Sequence, residues 1–353
     1  DPKERAKAFG VMGAISGGGA AIGLILGGTL TEFFSWRWCL GVNVPIAIVA
    51  GLLAAKFIHE SKAEGDTSYD IPGAVTASAG LFALTYGFNE AASNGWASAK
   101  TLTFFISSAV LLTLFFVIES KVKNPMLPLR VLEDRNRAGS YLGSLSIGAG
   151  LFSMFLFLGL FFQVVLQYSP LRSGFAFLPF TGGIILAAGI SSNLLPKFGP
   201  KPLMIPGLLV SASGLLWLSQ LTPTSDYVTH VVPSLVLMSV GMAFVFIPLM
   251  TTALHNVNHH DTGVASAMIN TSQQIGGSLG TALLNTVAAT AATNYITTHK
   301  EMGETVKIFA MVHGFDSAFK VGAALLIVGA IILMTMITVG KDSVVETDAV
   351  VMH

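Results

Sequence analysis

Residues 138–171 read AGSYLGSLSIGAGLFSMFLFLGLFFQVVLQYSPL, with no aspartate, glutamate, lysine or arginine in the run. A helix needs roughly 17–25 such residues to cross a hydrocarbon core. Nine further charge-free windows lie at 8–31, 38–55, 71–89, 101–118, 173–196, 202–225, 227–260, 262–299 and 321–340, the shortest holding 18 residues. A soluble helix keeps one charged face, which these windows lack. A membrane β-barrel is excluded, because its strands are about half this length and alternate apolar with polar residues. The windows predict an all-α, polytopic membrane protein with about ten transmembrane helices.

Composition agrees with that reading. Of the 353 residues only 11% are charged, against about 25% in an ordinary soluble domain. Formal net charge is zero, which leaves no basic surplus for phosphates and argues against nucleic acid as a partner. A single cysteine, Cys39, offers neither an intrachain disulfide nor a metal framework. His255, His259, His260 and Asp261 cluster at one helix junction without a recognisable complete ligand set, so no metal is expected. No nucleophile–base constellation or phosphate loop is present, and the sequence predicts neither an enzyme nor a cofactor.

Thirteen of the nineteen lysines and arginines fall in alternate loops that include the N-terminal segment, and six in the others. The positive-inside rule then places both chain ends in the cytoplasm of a multi-pass cell-membrane protein. The first ten residues carry five charges, so no cleavable signal peptide is visible, and the chain is expected to begin inside a longer protein. The only long outer loop expected is 297–320, with structure that its residues leave undecided.

Two helices carry patterns with chemical content. Residues 13–28, GAISGGGAAIGLILGG, place Gly19, Gly23 and Gly27 at intervals of four, a groove without side chains that another helix can approach closely. It reads either as a static packing seam or as one that moves in function. In the ninth window Asn270, Gln274, Gly277, Thr281 and Asn285 form one stripe, with Gly276 and Gly280 on another face. Unpaired amides are costly in lipid, so the stripe faces protein or a water-filled cavity. Interhelical hydrogen bonding and a pathway lining both fit. Gln163 and Gln167 lie near an outer helix end, and Phe152, Phe155, Phe161 and Phe162 are possible contacts for a lipophilic ligand, lipid or core.

In order along the chain, these residues resemble the fourteen-helix drug:proton antiporters of the major facilitator superfamily. Glu4-Arg5 followed by Gly23-x-x-x-Gly27-Gly28 is similar to that family's antiporter motif on its fifth helix, with Leu24 where the motif has proline. Trp36-Arg37-Trp38, Asn43-Val-Pro45, Asp70-Ile-Pro-Gly73 and Gly95-Trp96 follow, then Tyr168-Ser-Pro170, Asn270 and Gln274-Ile-Gly-Gly277. The loop Pro196-Lys-Phe-Gly-Pro-Lys201 resembles a degraded D-R-x-G-R loop.

The resemblance implies a division into 1–60, the last two helices of an N-terminal bundle; 61–137, two inserted linking helices and a cytoplasmic loop; 138–340, a C-terminal six-helix bundle; and 341–353, a tail. It implies a fragment starting at about the fifth helix, whose missing N-terminal helices are a partner of this chain. Gly19, Gly23, Gly27 and Gly28 become antiporter-motif glycines facing the second bundle, near the helix with Gly182, Gly183 and Gly189. Asn270, Gln274, Thr281, Asn285 and Gln163 become the substrate pathway. The implied function is proton-coupled efflux of small lipophilic compounds, with protons, a small-molecule substrate and the lipid bilayer as partners. The alternatives are export of a lipid or metabolite, and a non-transporting scaffold or inactive remnant.

Overall fold

The computed structural model describes residues 19, 21–57, 70–257, 261–299, 303 and 305–340. Among them ten principal helices occupy the ten charge-free windows, and no strand occurs. They are α1 (Ala21–Phe33), α2 (Trp36–Phe57), α3 (Ile71–Asn94), α4 (Ala99–Glu119) and α5 (Arg135–Val165). Then follow α6 (Pro170–Phe198), α7 (Lys201–Leu218), α8 (Tyr227–Ala253), α9 (Thr262–Thr298) and α10 (Val306–Met336). Eight are both long and apolar enough to cross a membrane. The others are α1, short in its described part, and α9, diluted by serine, threonine and amide residues. The protein is an all-α, multi-pass membrane protein.

Helix ends follow local chemistry. Asp70, Ser98, Asp134 and Ser169 each accept a backbone N–H from the first turn of the helix they precede. Gly95 and Gly199 end α3 and α6 with φ of 84° and 78°, a conformation that side chains resist. Helix α10 starts well before the window at 321, taking in Lys307, Asp316 and Lys320. The long outer loop expected at 297–320 is therefore mostly helix. Charges mark the edge of the hydrocarbon, not the end of a helix, and 31 residues at 1.5 Å each exceed its roughly 30 Å thickness.

Helices α5 to α10 pack on one another around a core that includes Met154, Phe157, Leu208, Leu215, Phe319 and Leu326, all fully buried. The tightest pairing is α5 on α9. A Cβ on Gly276 would lie 2.7 Å from the Leu145 Cα, and one on Gly148 would lie 2.8 Å from the Gly277 nitrogen. The α3–α4 hairpin also packs on this group, with α3 lying along α9. Thr286 donates to the Phe88 carbonyl at 3.1 Å, and the Thr85 and Ser278 hydroxyls are 3.3 Å apart.

The glycine groove of α1 is placed otherwise than its spacing suggests. Among the described residues no atom lies within 4 Å of a Cβ position at Gly19, Gly23 or Gly27. Contact with α6 runs along the face of Leu24 and Gly28. A Cβ on Gly28 would be 2.8 Å from the Leu171 Cα, and one on Gly174 would be 2.6 Å from the Leu24 carbonyl oxygen. Periodicity identifies a face of small residues; it does not say which face a neighbour takes. Gly182 and Gly189 also meet nothing within 4 Å, while Gly183 abuts Ser239 of α8. Glu4, Arg5 and the first part of the 13–28 segment lie outside the described residues.

Candidate functional site

A cavity of about 890 Å³ lies between α3, α5 and α9. Helix α9 contributes Gln274, Gly277, Ser278, Thr281, Ala282 and Asn285, so three of the four polar stripe residues expected on a pathway share one wall. Gly276 and Gly280 face away, toward Leu145 and Ala149 of α5. Phe152 and Leu156 of α5 form a second wall. Glycine at 277 lets the Phe152 ring lie against α9, since a Cβ there would approach that ring to 2.6 Å.

The third wall comes from α3: Phe82, Thr85, Tyr86 and Asn89. This contribution is not foreseen by the sequence reading above. Its signal is nevertheless present, since positions 82, 85, 86 and 89 follow the i, i+3, i+4, i+7 pattern of one helix face. The Tyr86 ring packs on Phe82 and Phe104, with centroids 5.8 Å and 4.6 Å away.

Gln274, Asn285 and Asn89 are exposed and make no side-chain hydrogen bond among the described residues. The amide of Asn270 is different: it donates to the Ser266 carbonyl of its own helix at 3.4 Å, and the residue does not line the cavity. Gln163 stands exposed on a π-helical turn at the end of α5 (Phe161–Val165), also away from the cavity. Of the four phenylalanines, Phe152 lines the cavity and Phe155 stacks near Phe177 and Phe180, while Phe161 and Phe162 are core.

Among the described residues no carboxylate, lysine, arginine or histidine lines this cavity. What it offers is aromatic rings, which supply apolar contact, and free amides and hydroxyls, which donate and accept hydrogen bonds. That chemistry suits an uncharged or weakly charged amphipathic molecule. At the histidine cluster, Arg130 instead holds Asp261 bidentately, Nε to Oδ2 at 3.0 Å and Nη2 to Oδ1 at 2.9 Å. His259 and His260 lie outside the described residues.

The profile of the Major Facilitator Superfamily matches residues 1–281. The chain belongs to this superfamily. Relatives of this facilitator include a puromycin resistance protein of Streptomyces alboniger, 38% identical over 98% of this chain and 69% of the relative. A cephamycin export protein of Amycolatopsis lactamdurans is 35% identical over 80% and 59%, respectively. A multidrug transporter protein of Bacillus subtilis is 30% identical over 84% and 54%. The facilitator chain thus spans between about half and two-thirds of the length of these relatives.

Proposed function

We propose that this facilitator chain takes part in proton-coupled efflux of small lipophilic compounds across the cell membrane, with both of its ends in the cytoplasm. The observation that carries the reading is the charge-free cavity of α3, α5 and α9, where unpaired amides of Gln274 and Asn285 stand opposite aromatic rings. Relatives named for puromycin resistance, cephamycin export and multidrug transport support it. In this reading α1 and α2 belong to a first bundle, α5 to α10 form the second, and α3 of the inserted hairpin supplies part of the substrate wall. Transport proceeds by rocking one bundle against the other around a midplane site.

The test is an efflux assay on the full-length protein with a panel of lipophilic compounds, with and without an uncoupler. Gln274→Leu is expected to change the order of preference among compounds at unchanged folded yield, because Gln274 has no hydrogen bond to lose. An unchanged order together with a lowered thermal midpoint would show that Gln274 only joins helices. Orientation is tested in a Cys39→Ser background. A cysteine at Asn94 or Lys307 should react with an impermeant thiol reagent from outside, and one at Lys123 should not.

A further inference from the structure

The α3–α4 hairpin brings together two carboxyl groups from its two ends. Asp70 precedes α3 and is 8% exposed; Glu119 closes α4 and is 3% exposed. Each gives one oxygen to the backbone. Asp70 Oδ1 accepts the Gly73 N–H at 2.8 Å, and Glu119 Oε2 accepts the Leu127 N–H at 2.9 Å. Their other oxygens, Asp70 Oδ2 and Glu119 Oε1, are buried without a donor from any other residue. Both border the space where Gly73 lacks a side chain. A Cβ there would lie 3.0 Å from Glu119 Oε1 and would collide with Asp70 Oδ2. Both oxygens therefore face one gap with no donor between them.

An ionised carboxylate only accepts hydrogen bonds, so neither buried oxygen can satisfy the other while both are ionised. Two buried like charges at this range also repel strongly, and a single shared proton removes both problems. Among the described residues no cation pairs with either carboxyl. Lys121 and Lys123, on the adjoining segment, are exposed and make no ion pair among the described residues. Arg130, farther along that segment, is held by Asp261.

We infer that Asp70 and Glu119 form a proton-binding site, holding one proton between Asp70 Oδ2 and Glu119 Oε1 at the open end of the hairpin, opposite its 95–98 turn. Loss of the proton leaves two facing negative charges. That drives the end of α4, and the Leu127 segment bonded to it, away from Asp70. The site stands apart from the cavity and from the proposed efflux, and its readout needs no transported compound.

The test is infrared difference spectroscopy of the full-length protein in nanodiscs during a pH titration. Wild type is expected to show the carbonyl band of a protonated carboxylic acid. Glu119→Gln and Asp70→Asn should each lose it, since an amide N–H then donates to the remaining carboxylate and no proton is needed. Both variants keep a hydrogen bond in place, so folding is expected to survive. Should one fail to fold, the other variant and the wild-type band still decide. A band unaltered in the variants that fold, or its absence from wild type at every pH, overturns the site. So does a response to added Na⁺ or Ca²⁺ in place of pH.

Discussion

Helices α2 and α5 are almost equally apolar, with mean hydropathy of 2.0 and 2.1 over their most apolar stretches. None of that stretch is buried in α2, whereas 67% of it is buried in α5. In water such a difference would be paradoxical. In a bilayer it is not, because lipid tails are as apolar as leucine and apolar side chains gain little by leaving them. What separates the two helices is whether their small residues meet a partner among the described residues. Helix α5 carries GSLSIGAG at 143–150, letting α9 approach to backbone contact, while Gly51 of α2 meets nothing within 4 Å.

The largest effect that would break this comparison is Gly148→Leu. Forcing a branched side chain between the α5 and α9 backbones is expected to cost about 3 kcal/mol or more and to abolish the monodisperse peak in size-exclusion chromatography. Gly51→Leu should leave that peak intact. Equal behaviour of the two variants would mean that the contrast between the helices carries no energetic weight.

Next in size is Arg130→Ala, which removes the two-pronged partner of the buried Asp261 carboxylate at the start of α9. The thermal midpoint should fall, and Arg130→Lys should recover only part of the loss, since an ammonium cannot form the two-pronged bond. Full recovery by lysine would reduce the pair to simple charge neutralisation.

A smaller change is expected at Gly28, where α1 touches α6. Gly28→Leu should lower the thermal midpoint by a few degrees, and Gly23→Leu should not move it. The reverse order would restore the groove of Gly19, Gly23 and Gly27 as the contact surface.

The smallest effect concerns Asp226, which caps α8 outside the membrane span. The backbone N–H of Thr229, and secondarily that of Val228, hold its carboxyl below the usual carboxylate range. The folded state then binds this proton less readily than the unfolded chain does. Its stabilisation is present above the unfolded value and is lost as pH falls through the folded one. Asp226→Asn should flatten the acid limb of the thermal midpoint slightly and leave the neutral region alone.

The helices were legible because ten charge-free runs have only one stable form in lipid. The orientation of α9 was legible too, since polar residues and glycines segregate onto different faces, and the structure turns Gln274, Thr281 and Asn285 to the cavity and Gly276 to α5. Partners were not legible. The face of Phe82, Thr85, Tyr86 and Asn89 is written in its spacing, but nothing local says that it meets α9. The same limit left open which of the α1 glycines meets α6 and hid the meeting of Asp70 with Glu119, whose positions are joined only once two helices fold back on each other.

The contact between α1 and α6 has a mechanical consequence. It runs from Leu24, against Gly174, through Gly28 on Leu171 to the Leu171 N–H donated to Glu32 at 2.9 Å, while Gly19 has nothing within 4 Å of its Cβ position among the described residues. A rigid rod held at one end is a lever. At 1.5 Å per residue Gly19 lies about 7.5 Å from the Leu24 contact, so a tilt of about 10° sweeps it through about 1.3 Å. Displacements too slight to disturb the Gly28 contact are thereby multiplied at the far tip of the rod.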